Sequence, residues 1–271
     1  MEEGKKSFFD NLEPKTALIG GVVAGALLLC TIGFIVLVIA ILNGNVAAKN
    51  GGAEIVDNQG DENSVAKSDR PTAELFVMSY CPYGLQMEKA FLPVMQLLSK
   101  RADLSIKFVS YAMHGKTELD ENTRQYCIQA EQPDKFLAYM NCFVGKDDYK
   151  ACLTTAKVDQ VKMNKCFTAT DKKFGITTKF NDASTWLSGR YPLYPVQQEL
   201  NDQYGVQGSP TLIVNGSEVQ ADRTPEAVKQ AVCAAFNNPP EECKQALSKS
   251  ALQAGFGTAV GADTGTAACG N

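Results

Sequence analysis

Histidine is almost missing from this chain: His114 is the only one in 271 residues, and none of the nine cysteines belongs to a C-x2-C pair. A Cys/His zinc centre therefore lacks ligands, and an all-cysteine centre lacks the usual close spacing, so neither metal nor cofactor is expected. An excess of positive charge is missing as well. The formal net charge is −4, and no basic block alternates with aromatic residues. That removes the electrostatic basis for binding nucleic acid. The acidic stretch "DNQGDEN" lacks the spaced bidentate glutamate and flanking helices of a calcium loop, so it reads as solvated linker. There is no internal repeat.

Charge is also absent from Thr16 to Leu42, "TALIGGVVAGALLLCTIGFIVLVIAIL". About 20 apolar residues suffice to cross a bilayer, so this run is expected to form one transmembrane helix. Lys5, Lys6 and Lys15 precede it, while Lys49 alone follows closely. The positive-inside bias puts residues 1–15 in the cytoplasm and the rest outside, in periplasm, lumen or extracellular space. A cleaved signal peptide would carry an apolar region of only about 7–15 residues, which this run exceeds. Cys30, inside the run, reads as a small apolar filler. Residues 43–71 are polar and Gly-rich, a flexible linker with a reach of roughly 30 Å.

The remainder reads as an α/β domain with a mixed sheet, expected over residues 72–250. "AELFVMS" (73–79) is a buried strand, and a helix opening at Cys81 follows it. "LSIKFVSYA" (104–112) is a second strand. Residues 118–190 form a helical insert with four cysteines. "GVQGSPTLIVNGSEV" (205–219) then carries a loop, a proline and an Asn-Gly hairpin. Thr224 and Pro225 cap a last helix. The Gly/Ala/Thr-rich segment 251–271 is expected to be an unstructured tail.

"SYCPYG" at the end of the first strand and "VQGSPTLIVNG" much later resemble the two halves of a thioredoxin-fold active site. The helical insert between them makes the pattern similar to DsbA-type thiol oxidoreductases and to the lysosomal thiol reductase family, over about residues 73–247. That resemblance implies a thioredoxin-like sheet and chemistry on protein or peptide thiols and disulfides. The cysteine arrangement of the insert and of "AVCAAFNNPPEEC" also resembles the thioredoxin-like luminal region of plant vacuolar sorting receptors. These are binding proteins, so a non-catalytic ectodomain that binds a peptide or protein client is the alternative reading.

Cys81 is the expected nucleophile, because a helix N-terminus stabilises its thiolate; a structural thiol is the bland alternative. Pro82 and Tyr83 would tune it. Ser209, Pro210 and Thr211 would position an extended substrate. Gly84 stands where a dithiol site has its second cysteine, so release of a mixed disulfide needs another thiol. His114 follows the second strand and either assists proton transfer or is an ordinary loop residue. Four insert cysteines allow three pairings; the nested one, Cys127–Cys166 with Cys142–Cys152, suits successive antiparallel helices. Cys233 and Cys243 should close a short loop. Outside the membrane run this leaves Cys81 and Cys269. Cys269 either acts as the missing resolving thiol or forms a stored disulfide with Cys81; an incidental or intermolecular tail thiol is the bland alternative. Trp186 and "GRYPLYP" (189–195) either line the cleft or pack the insert onto the sheet. The oligomeric state is not legible.

Overall fold

The computed structural model describes residues 65–270. Residues 1–15, expected to be cytoplasmic, the apolar run with Cys30 and the linker up to residue 64 lie outside them. Among the described residues no helix is long and apolar enough to cross a membrane.

Strand β1 (Thr72–Val77) is the centre of the sheet. It pairs in parallel with β2 (Asp103–Phe108), Leu75 opposite Ile106, and antiparallel with β4 (Thr211–Val214), Leu75 opposite Leu212. β5 (Ser217–Glu218) completes the order β2-β1-β4-β5. Alternation along β1 sends Ala73, Leu75 and Val77 into the main core and Phe76 and Met78 into a second, smaller one. A strand buried on both faces accounts for the nearly unbroken apolar run. The parallel crossover is helix α1 (Pro82–Leu98), which begins with Pro82 and runs through Pro93. α1 packs against the helices Pro133–Lys146 and Pro225–Ala234.

The insert comprises α2 (Gly115–Glu131), α3 (Pro133–Lys146), α4 (Tyr149–Thr155), α5 (Gln160–Phe174) and α6 (Ile176–Asn181). Asp148 and Asp159 cap α4 and α5, their carboxylates accepting from Ala151 N, and from Val161 N and Lys162 N. Cys127–Cys166 joins α2 to α5, and Cys142–Cys152 joins α3 to α4. α7 (Gln198–Tyr204) leads to the two-residue strand β3 (Gly208–Ser209) and then to the β4–β5 hairpin. Asn215 and Gly216 both have positive φ, as a two-residue hairpin turn of this hand requires. Thr224 Oγ1 accepts from Ala227 N to cap α8 (Pro225–Ala234), and Cys233–Cys243 ties that helix to the following turn.

Three boundaries differ from the sequence reading. β2 ends at Phe108 rather than at residue 112, and the insert helices end at Asn181 rather than near 190. Residues 65–71, assigned to the linker, belong to the domain: Ser68 N donates to Ala235 O and Asn237 N to Ser68 O. Arg70 pairs with Asp103. The largest difference is the tail. It is not a free coil but a strap along α1 that ends in strand β6 (Cys269–Gly270), antiparallel to β3. Gly255 N donates to Pro82 O and Gly257 N to Val144 O. Lys89 Nζ donates to the carbonyls of Gln253, Gly255 and Gly257 at 2.6–2.8 Å. Phe256 meets the edges of Tyr80 and Phe143. Composition missed this because the strap is held through its backbone carbonyls, which every sequence has.

Candidate functional site

Cys81 caps α1. Its backbone is extended, its Sγ accepts from Gly84 N at 3.3 Å, and its relative exposure is 0%. An N–H donor and the positive end of a 17-residue helix both favour negative charge on that sulfur. Opposite lies the loop of β3, where the Ser209–Pro210 peptide bond is cis. The Ser209 carbonyl oxygen is 3.4 Å from Cys81 Sγ. In the structure this sulfur is half of a disulfide and has no proton to donate, so the approach becomes a hydrogen bond only when Cys81 is a protonated thiol.

The other half is Cys269. The Cys81–Cys269 bridge joins residues 188 apart in sequence with a Cα–Cα distance of 6.0 Å. β6 brings Cys269 there by pairing it with Ser209, so the tail lies in the cleft as an extended strand.

Ser209 also accounts for the glycine at 84. Its hydroxyl accepts from Met78 N at 2.9 Å, fixing the end of β1. A Cβ on residue 84 would stand 2.5 Å from that hydroxyl oxygen and 3.2 Å from Met78 O. No side chain fits there without moving one of them, cysteine included. The space a side chain at residue 84 would need is filled by the serine of the facing loop.

The other expected site residues are distributed as follows. Pro82 occupies the first helical position, and its carbonyl holds the tail at Gly255. The Tyr83 ring faces the Arg223 guanidinium at 5.6 Å. Thr211 Oγ1 donates to Gly208 O. With Pro210, Gln207, Arg223 and Gly270 it borders a cavity of about 410 Å³ beside the cleft. His114 is not in contact with the bridge: its Nδ1 meets Glu118 Oε1 at 2.8 Å. That carboxylate, wholly buried, also accepts from Tyr80 N, Met113 N and His114 N. His114 is thus linked to the Cys81 turn through Glu118, and the hydrogen bond raises its pKa above 6.5. Trp186 donates to the carbonyls of Lys179 and Phe180 and packs on the Phe180 ring, away from the cleft. Tyr191 of "GRYPLYP" does reach it, against Tyr111.

Sequence reasoning missed Arg223 and Lys89, whose cationic heads hold the tail. Arg223 donates to Thr264 Oγ1 and Ala267 O, and burial lowers its pKa. It also missed Glu88, fully buried with no hydrogen-bond partner for either carboxylate oxygen. The signal was the charged pair Glu88-Lys89 inside an otherwise apolar helix. Among the described residues no group of His, Cys, Asp or Glu side chains is placed to hold a metal ion.

A central β-α-β crossover, an antiparallel hairpin with its helix, a cysteine at the crossover helix N-terminus and a cis-proline loop facing it are now in place. The fold is thioredoxin-like. Its helical insertion lies between β2 and β4, stapled by two disulfides. Solved structures similar to it are thiol–disulfide oxidoreductases. Reduced DsbA from Mycobacterium tuberculosis is 16% identical, aligned over 66% of this chain and 94% of its own, with a TM-score of 0.42. BdbD from Bacillus subtilis is 20% identical over 67% and 92%, with a TM-score of 0.41. MdbA from Actinomyces oris is 15% identical over 63% and 83%, with a TM-score of 0.43. No protein-family model and no curated protein matches the sequence.

Proposed function

We propose that this thioredoxin-like domain performs thiol–disulfide exchange on polypeptide clients with Cys81 as nucleophile and Cys269 as resolving thiol. The observation that carries the reading is the Cys81–Cys269 bridge at the N-terminus of α1, in the cleft facing Ser209-Pro210. In the reduced chain the Cys81 thiolate attacks a client disulfide, forming a mixed disulfide and releasing one client thiolate. Cys269 then attacks the Cys81 sulfur, restores the internal bridge and releases the second client thiolate. Two electrons pass from the chain to the client; run backwards, the steps oxidise a client dithiol. Gly84 takes no part, and the thiol normally three residues away is supplied from the tail. The domain works outside the cytoplasm, anchored in a membrane by the run Thr16–Leu42. Four disulfides in the described residues agree with an oxidising compartment.

The test is a single turnover of the reduced full-length chain with a disulfide-bonded peptide, followed by mass spectrometry. The wild type should finish oxidised with the peptide reduced. Cys269→Ser should stall with one peptide attached to Cys81, and Cys81→Ser should do nothing. A second reading, that Cys81–Cys269 only staples the tail and the domain binds without reaction, is favoured by the complete burial of Cys81. It wins if no peptide adduct forms on Cys269→Ser.

A further inference from the structure

We infer that the Cys81 cleft is a seat for one peptide pattern, an extended polypeptide in which the reacting cysteine is followed by glycine. The inference rests on the exchange reading above and names its substrate class. The tail shows what the seat accepts, since Cys269-Gly270 lies in it as a strand and as a disulfide on Cys81 at once. Contact between the two backbones is unusually close on both sides. A Cβ on Gly208 would lie 2.6 Å from Cys269 O. A Cβ on Gly270 would strike the Tyr111 hydroxyl and stand 2.8 Å from both Gln207 O and Gly208 Cα.

These walls are firm. The Tyr111 hydroxyl is fixed by donating to Gln207 O at 2.6 Å, and the other two atoms are backbone. Gly270 also has a φ of +110°, a conformation in which any L side chain is strained. The position after the cysteine is therefore restricted twice, by space and by backbone. Upstream the seat is polar and open: Ala268 borders the cavity, and Arg223 donates to the carbonyl of Ala267, two residues before the cysteine. An ordinary peptide chain offers a carbonyl at that point whatever its side chains are. This favours a polypeptide over the small tripeptide thiol γ-Glu-Cys-Gly, which has only one residue before its cysteine and so no peptide carbonyl at that point.

In a client exchange the client cysteine and its following glycine take the place of Cys269 and Gly270. The Cys81 thiolate attacks the client's cysteine sulfur, the S–S bond to the leaving thiolate breaks, and the new strand pairs with Ser209.

The experiment uses full-length Cys269→Ser, reduced, and peptides Ala-Ala-Cys-Gly-Asn and Ala-Ala-Cys-Ala-Asn whose cysteine is activated as a mixed disulfide with the coloured leaving group thionitrobenzoate. Attack by Cys81 releases the chromophore. The glycine peptide should react faster by about tenfold or more, the factor for about 1.4 kcal/mol of backbone strain. A second arm needs no ligand: Gly270→Ala in the otherwise native chain should shift the Cys81–Cys269 bridge toward reduction in a dithiothreitol titration by a similar factor. Equal rates for the two peptides with normal Cys81 reactivity would overturn the glycine requirement and leave exchange standing. No reaction with either peptide would overturn exchange itself. Activated γ-Glu-Cys-Gly reacting as fast as the glycine peptide would overturn the choice of a polypeptide.

Discussion

Replacing Glu88 by glutamine isolates the cost of one carboxyl group. Glu88 is wholly buried on α1, and neither of its oxygens has a hydrogen-bond partner. Glu121 lies close by, bound by Arg124, by Gln125 Nε2 at 3.0 Å and by the Tyr139 hydroxyl at 2.7 Å. Burial raises the Glu88 pKa well above 4.5; the Glu121 charge pushes the same way and Lys89 opposes it. The folded chain therefore keeps a proton that the unfolded chain releases near 4.5. Stability from this group is complete below that pH and is lost as pH rises toward the folded pKa. The loss is about 1.4 kcal/mol per pH unit, the value for one proton. Glutamine has nearly the same shape and no proton to lose. In urea titrations of the oxidised proteins at steps upward from pH 5, Glu88→Gln should gain on the wild type by up to about 1.4 kcal/mol per unit until the folded pKa is passed. Glu226, pulled down to about 2 chiefly by the Leu247 N–H, contributes the opposite slope in both proteins and cancels. Parallel stability curves with a constant offset would refute the reasoning, since Glu88 would then titrate alike folded and unfolded.

Gly84→Ala should destabilise the oxidised domain by about 1–3 kcal/mol through its clash with Ser209 Oγ. Gly84→Ala/Ser209→Ala should recover part of that loss in a double-mutant cycle read by chemical denaturation. Lys89→Met leaves the carbonyls of Gln253, Gly255 and Gly257 without their shared donor. Hydrogen exchange at the Gly255 and Gly257 amides should accelerate while β1 stays protected. His114 is the single histidine and gives one resolved imidazole signal in a proton NMR titration. Its midpoint should lie above 6.5 and fall in Glu118→Gln. Because the folded pKa is raised, the stability this pair supplies is complete below about 6.5 and lost as pH climbs through the folded midpoint.

The central parts of the fold could be read directly because each is a local pattern. The apolar run of β1, the Asn-Gly turn and the Thr224-Pro225 cap express their structure within a few neighbouring residues. The placement of Cys81 at a helix start and of the Ser209-Pro210 loop before a strand could also be read, since both are short motifs in strand context. The strap was misread for the opposite reason. Its hold comes from Lys89, Arg223 and backbone carbonyls, and no local composition records which distant cation will face a Gly/Ala/Thr-rich segment.

The question of Gly84 shows the same division. From sequence alone, the glycine left Cys81 without a resolving partner, and subtraction among the cysteines named Cys269 as a candidate. Neither step says why a glycine stands there. That depends on Ser209, 125 positions later, whose hydroxyl fills the space as it holds Met78 N. Likewise the sequence carries "ACG" near its end as three small residues. Only the folded chain turns it into a strand beside β3, because only there do Gly208, Tyr111 and Gln207 close on Gly270. Sequence determines what lies within a turn or strand of itself; contacts between residues far apart along the chain exist only once the sheet has formed.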